Sequence, residues 1–363
     1  MNVDGIARAR MLSQGLWGRP FDSPEEVVGW LGAMQAQEFA VAKWSVAQRA
    51  RGVNHVAMAR AFDRGSILRS HFLRPTWHFA LARDIRWLLT ATAPRVQALN
   101  AYYNRQHGID ERLVARSNDA LAKALAGGNH LTRTEVAATL DRAGIQASGP
   151  RLAYIIMRAE LDAIAVSGPM RGRQHTYALL DERAPDAVRL DRDEAVAELT
   201  RRFFVSRGPA TLKDLGRWSS LTGAECRAGL EAVRSQLEHE EAGGRTYWFA
   251  PSSRVQGGPR SPHMDLVQGY DEAVMSYSES KDVVVPNASD LLVRDRGILL
   301  HAILLDGRLI GHWRRAPPKD SVVVETIHRR PLERPEAQAL EAAADRYGRY
   351  VGLPAMLSQV RIP

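Results

Sequence analysis

The sequence predicts an α+β fold in which one pattern of two helices and a hairpin occurs three times before a strand-rich C-terminal part. Three observations carry this reading. Capped amphipathic segments are followed by paired strand-like runs near 20–83, 112–181 and 192–250. Pro251 to Pro262 is rich in Pro, Gly and Ser and reads as a linker. Beyond it, β-branched runs replace the helical spacing. Helix, helix, two-stranded wing is the order of a winged helix-turn-helix. The expected organisation is three tandem winged helices, at 1–110 with a connecting helix, 111–190 and 191–255, then a β-rich partial barrel at 256–363.

Each element has a local reason. Ser23 caps a helix, Pro24 fits its first turn and Glu26 completes a capping box. Val27, Trp30, Leu31 and Met34 recur at helical spacing, so this helix is expected to run to Gln37. A second, basic and aromatic helix is expected from Phe39 to Arg51, and a wing from Ser66–Leu73 and Thr76–Leu81. In the second copy, a helix opened by Leu131-Thr132-Arg133-Thr134-Glu135 ends at Gly144, and another runs through Arg151–Met157. The strands Ala163–Val166 and Thr176–Leu179 follow. The third copy is expected to begin at Ala210-Thr211, with a second helix from Thr222 and a wing turning at Gly243-Gly244. Arg86–Asn104 and Asp193–Val205 read as connecting helices. In the last part, Asp282–Val285, Gly297–Leu305 and Ser321–Val324 read as strands, Asp306-Gly307 as a two-residue hairpin turn and Glu336–Arg349 as a closing helix.

Composition excludes several classes. The 363 residues are 45% hydrophobic and 25% charged, which is a globular balance. The formal charge of +8 favours an anionic partner, although an Arg-rich basic enzyme fits the charge alone equally well. A single cysteine, Cys226, excludes an internal disulfide and a multi-cysteine zinc site. No apolar run approaches the roughly 20 residues that span a bilayer. A cytoplasmic monomer without a membrane partner, acting at the nucleoid, is expected.

Candidate chemistry is sparse. The glycine pairs lack the Lys-Ser/Thr of a phosphate loop, and the 11 histidines show no metal-ligand spacing, so neither metal nor cofactor is expected. Gln35 and Gln37 lie off the apolar stripe of their helix. Residues two apart do not share a helix face, so the two amides converge only where the backbone turns; otherwise they are two solvated side chains at a helix end. The first wing interleaves Arg69, His71, Arg74 and His78 with Phe72, Trp77 and Phe79. With Lys43, the basic turn residues Arg171 and Arg173, and His312 and Arg314 of the last part, these are the candidate DNA contacts. Phe72 and Trp77 have an alternative as wing-base packing, and His312 and Arg314 as a basic sheet edge.

Gln35-Ala36-Gln37, Leu73-Arg74-Pro75-Thr76-Trp77-His78, Gly269-Tyr270-Asp271-Glu272 and Asp306-Gly307-Arg308-Leu309-Ile310-Gly311 together resemble the AlkZ/YcaQ-like family of bacterial DNA glycosylases. The resemblance spans nearly the whole chain. It implies winged helices around a concave, positively lined DNA channel. It also implies catalysis by Gln35 and Gln37, and double-stranded DNA carrying N7-alkylpurine adducts or interstrand crosslinks as substrate. The two-glutamine form resembles the branch that protects antibiotic producers from their own DNA-alkylating toxin; the other branch has Asp where Gln37 stands. The alternative is a non-enzymatic tandem winged-helix DNA-binding protein or transcription regulator.

Overall fold

The computed structural model describes residues 1–251, 257–287, 293–295, 298–316, 320–328 and 330–359. Residues 252–256 of the expected linker and Gly297 of an expected strand lie outside these. After α1 (Val3–Ser13), the first unit comprises α2 (Pro24–Leu31), β1 (Met34–Gln35), α3 (Phe39–Ala47), α4 (His55–Asp63), β2 (Ile67–Leu73) and β3 (Thr76–Leu81). Its sheet has the order β1-β3-β2. After α5 (Ile85–Gln106), α6 (Glu111–Leu125), β4 (Leu131–Thr132), α7 (Arg133–Arg142), α8 (Gly149–Leu161), β5 (Ala165–Ser167) and β6 (Thr176–Leu179) repeat that plan. The sheet order is again short strand, second wing strand, first wing strand, as β4-β6-β5. A short α9 (Leu180–Arg183) leads on. The third unit is α10 (Arg192–Arg207), α11 (Leu212–Ser219), α12 (Gly223–Val233), β7 (Glu238–Ala242) and β8 (Arg245–Phe249), with Ala210 bridging to Trp248 in place of the short strand.

The repeated unit is therefore helix, short strand, two helices, hairpin. The sequence reading had two helices and the hairpin. It missed α4, and α3 ends at Ala47, short of the expected Arg51, ahead of a turn in which Gly52 takes φ +65°. Asn54 then caps a new helix through the amides of Val56 and Ala57. The third unit opens on α10, which the sequence marked as a leading or connecting helix over Asp193–Val205. The helix expected to reach Gln37 ends at Leu31, with consequences described below.

The last part holds β9 (Met264–Val267), α13 (Glu272–Met275), a small hairpin of β10 (Arg294–Asp295) and β11 (Ile298–Leu299), then β12 (His301–Leu305), β13 (Arg308–Ala316), β14 (Val322–His328), α14 (Arg334–Val351) and β15 (Ala355–Gln359). Five strands form an open sheet, β15-β14-β13-β12-β9, with β15 parallel to β14. Asp306 and Gly307 both take positive φ, at 49° and 83°, as the expected hairpin turn requires. Asp282–Val285 is not a strand. Its valines are buried, but the amides of Val284 and Val285 turn back to the carbonyl of Lys281. β9 and β15 were not foreseen.

The core of the first unit continues into this sheet. Trp44 of α3 and Trp313 of β13 both pack against Tyr347 of α14, with ring centroids 5.3 and 5.0 Å away. The N-terminal α1 packs its Ile6, Met11 and Leu12 with Val267 and Val283–Val285. Among the described residues no helix is long and apolar enough to cross a membrane.

Candidate active site

Gln35 lies on β1 and Gln37 just beyond its end because α2 stops early. Gly32 takes φ +69°, which terminates the helix. The buried Arg207 of α10 donates to the carbonyls of Leu31 and Ala33, at 2.7 and 2.6 Å. These are acceptors that a continuing helix would have used itself. Ala36 N–H then bonds to the carbonyl of Trp77 at 2.7 Å, and Gln35 stands opposite His78 in the sheet. On the outer edge of β1, side chains complete the pairing. The Gln35 amide donates to Glu272 Oε1 at 2.8 Å, and its carbonyl accepts from Gln268 Nε2 at 3.1 Å.

The Gln35 side chain is buried and oriented. Arg74 donates to its Oε1 at 2.9 Å. A guanidinium has no acceptor, so this contact fixes which end of the amide is oxygen. The same Arg74 nitrogen faces His78 Nε2 at 3.4 Å, while His78 Nδ1 donates to the carbonyl of Thr76 at 2.9 Å. Burial, then the Arg74 charge, pushes the His78 pKa down to about 3, so the ring is neutral. Gln37 differs. Its Oε1 is buried yet has no hydrogen-bond partner among the described residues, and the same holds for Gln268 Oε1 and Arg74 Nε. Unpaired buried polar atoms cost about 1–3 kcal/mol each.

Two consecutive acids hold this arrangement. Asp271 receives both terminal nitrogens of Arg49, at 2.6 and 3.1 Å, with both side chains fully buried. Glu272 receives Arg207, Trp218 Nε1 and Ser276 Oγ on Oε2, while Oε1 takes the Gln35 amide. Burial alone would raise the Glu272 carboxyl; Arg207, then Arg74, bring it down to about 2. The acid is thus ionised, and it joins the first and third units at the motif.

The remaining sequence candidates divide. Arg69 is buried, donates to the carbonyl of Ala36 at 2.9 Å and lies 4.2 Å from the Trp77 ring centroid. His71 bonds to the buried Glu160 of α8 in the second unit. These contacts, with the burial of His78, give the three residues structural work in place of the expected phosphate contact. His312 is buried on β13, also away from a surface contact. Arg74 faces Gln35, as described. Lys43 sits over the Phe39 ring at 4.8 Å, with its pKa lowered by burial. Arg314 pairs with Glu325. Arg171 and Arg173 are exposed on the second wing, and Arg171 is tied to Glu135 at 2.7 Å.

Sequence reasoning passed over Glu272 as a structural hub, and did not single out Arg207, Gln268, His175, Glu38 or His301. His175, from the second unit, packs edge-on to Phe39 at 4.7 Å. Arg207 left one signal: it continues the buried face of Phe203 and Phe204, where a cation needs a buried partner. Among the described residues no three His, Cys, Asp or Glu side chains gather as a metal site.

Three helix, short strand, two helices, hairpin units, with Gln35 buried on an edge strand and Gln37 just beyond it, are the plan of a tandem winged-helix protein. The family described as "DNA glycosylase AlkZ-like" matches residues 28–350, and the chain belongs to that family. It is similar to a Streptomyces sahachiroi protein named interstrand DNA cross-link repair glycosylase, with 25% identity over 84% of this chain and 85% of the relative. The solved structure of Streptomyces sahachiroi DNA glycosylase AlkZ superposes with a TM-score of 0.83. It covers 99% of this chain and 100% of that one, at 22% identity.

Proposed function

We propose that this DNA glycosylase hydrolyses the N-glycosidic bond of bulky N7-alkylguanine adducts and interstrand crosslinks, as self-resistance to a DNA-alkylating natural product. The observation that carries the reading is the unpaired, buried Gln37 Oε1 beside a Gln35 locked by Arg74. The name of the Streptomyces sahachiroi relative supports the substrate class.

The chemistry suits amides. Alkylation at N7 makes guanine cationic, so it departs without being protonated. The protein's part is to place water at C1′ and to tolerate a cationic sugar. An amide oxygen accepts a hydrogen bond from that water without the cost of a buried unpaired charge. Gln37 Oε1 is the acceptor in this scheme. Gln35, its oxygen engaged by Arg74, holds the geometry from the adjacent strand. Unmodified guanine leaves poorly and is spared. A bulky adduct suits an open concave channel between winged helices better than a closed flipping pocket.

The test is release of free modified base. A duplex alkylated at a single guanine N7 by a chloroethylamine is incubated with the protein, and the released base is identified by mass spectrometry. The expected result is the intact alkylated guanine with an abasic strand. Tight binding with no released base would favour the regulator alternative.

The second wing gives a separate expectation. Replacing Arg171 and Arg173 together with Ala should weaken duplex binding and lower the log–log salt slope by about 0.9 for each phosphate no longer neutralised. Arg173 should contribute more, since Arg171 is engaged by Glu135. Unchanged affinity and slope would remove this wing from the DNA surface.

A further inference from the structure

We propose that the exposed C-terminal end of α5, with the first turns of α8, is a binding site for single-stranded DNA. The inference goes beyond the reading above. It concerns a different surface from the two-glutamine motif and holds whichever lesion is excised.

The first observation is a band of open aromatic rings. Tyr102 and Tyr103 are 56% and 46% exposed, and Leu99, one turn earlier on α5, is 49% exposed. Tyr103 stacks on Tyr154 of α8, with ring centroids 5.6 Å apart and planes 14° from parallel. Tyr102 meets Tyr103 edge-on at 5.4 Å, and the His107 ring lies 5.4 Å from Tyr154. Gln106 steadies the outer ring by donating to the Tyr102 hydroxyl at 2.7 Å. The beginning of α5 is core, with Ile85, Trp87 and Leu88 buried. Tyr102 stands 17 residues beyond Ile85, about 26 Å further along the helix axis.

Charge and area decide what covers these rings. Arg105 follows Tyr102 by three residues and Arg151 precedes Tyr154 by three, so each cation shares a helix face with a ring. Among the described residues neither pairs with a carboxylate, and Arg151 Nε is buried with no hydrogen-bond partner. The acids that follow α5 are engaged elsewhere. Asp110 accepts the Leu113 amide at 2.7 Å, and Glu111 takes both terminal nitrogens of Arg158, at 3.0 and 2.9 Å. The patch therefore suits an anionic partner. Its area argues against a second copy of the chain. At half exposure, Tyr102, Tyr103 and Leu99 offer on the order of 300 Å², against the roughly 800 Å² that each partner buries in a stable dimer. A polyanion with flat apolar faces fits both the rings and the cations. A duplex keeps its base faces inside the stack, whereas an unpaired strand presents them to aromatic side chains. A strand held there anchors the protein on partly opened DNA.

The experiment uses the full chain and two fluorescein-labelled probes, an oligothymidylate of about 16 nucleotides and a blunt duplex of the same length, with affinity read by anisotropy over a range of salt. Replacing Tyr102 and Tyr103 together with Ala should weaken oligothymidylate binding by about 10-fold or more, through lost base stacking. The corresponding Phe pair keeps both ring faces and should bind as the parent does. Both side chains are half exposed, so the Ala pair keeps the fold, and its unfolding midpoint checks this. Arg105→Ala should lower the log–log salt slope by about 0.7, the single-strand value for one phosphate. Parental affinity of the Ala pair for oligothymidylate overturns the inference, as does an equal loss of affinity for the blunt duplex. Self-association of the parent that the Ala pair abolishes overturns it too, and assigns the patch to a second copy. These outcomes leave the excision reading standing, because release of modified base tests that separately.

Discussion

Glu272→Gln is expected to destabilise the fold by about 3–5 kcal/mol, the range for breaking a buried ion pair from one side. Glu272 Oε2 gathers the Arg207 guanidinium, the Trp218 indole and the Ser276 hydroxyl. An amide in its place removes the charge that compensates Arg207. It also turns an –NH2 towards one of the donors that Glu272 now satisfies. The pH dependence has a defined sign. The folded-state pKa, about 2, lies below the roughly 4.3 of an unfolded glutamate. The carboxylate therefore stabilises the fold above pH 4.3, and that contribution is lost as pH falls towards 2. The gap between parent and variant should be widest near neutrality and should narrow in acid. Urea unfolding at pH 7 and at about pH 3, between the folded and unfolded values, measures it. A midpoint equal to the parent's at pH 7 would show that Glu272 does not hold the units together. Activity should fall further than stability alone explains, because Glu272 Oε1 also receives the Gln35 amide.

That hub shows why the fold was more legible than the site. The Asp306-Gly307 turn could be read locally, since two adjacent residues able to take positive φ decide it. Ser23 and Pro24 likewise mark the start of α2, where Ser23 Oγ accepts the Glu26 amide. The end of that helix could not be read in the same way. Met34 continues the apolar stripe, so spacing alone carries the helix to Gln37. Gly32 takes the positive φ that stops it, and the groups that then hold the extended run, Arg207, Gln268 and Glu272, lie 174 to 237 residues away along the chain. Periodicity contains nothing about them. The first wing was misjudged for a related reason. Arg69 and His71 look like surface cations on an alternating strand, but β2 is buried on both faces between its own unit and the second. Glu160 and Ser167 supply the partners there. The catalytic assignment of Gln35 and Gln37 came from resemblance. The residues alone offered two amides with no reason to converge.

The unpaired amide oxygen of Gln37 makes the effect of Gln37→Ala separable from any effect on folding. Gln37 Oε1 has no hydrogen-bond partner to lose among the described residues, so truncation removes an unsatisfied acceptor and should leave stability unchanged or slightly raised. Excision should respond in the opposite direction. If the amide acts on the attacking water in the transition state, single-turnover release of a bulky N7-alkylguanine should fall by about 10²–10³-fold, the range for losing one preorganised polar group. Duplex affinity should hardly move, because the interaction is made only in the transition state. Gln35→Ala is predicted to differ in kind. It strips Arg74 of an acceptor at 2.9 Å and leaves that buried cation beside the neutral His78, so it should lose stability as well as rate. Gln37→Asp places a carboxylate where the other branch of the family has one. It should retain activity on the bulky adduct and extend it to N7-methylguanine. Comparing excision rate, duplex affinity and unfolding midpoint across the three variants distinguishes an acceptor from a scaffold. A Gln37→Ala protein that excises at the parental rate would show that the water is aimed by something else.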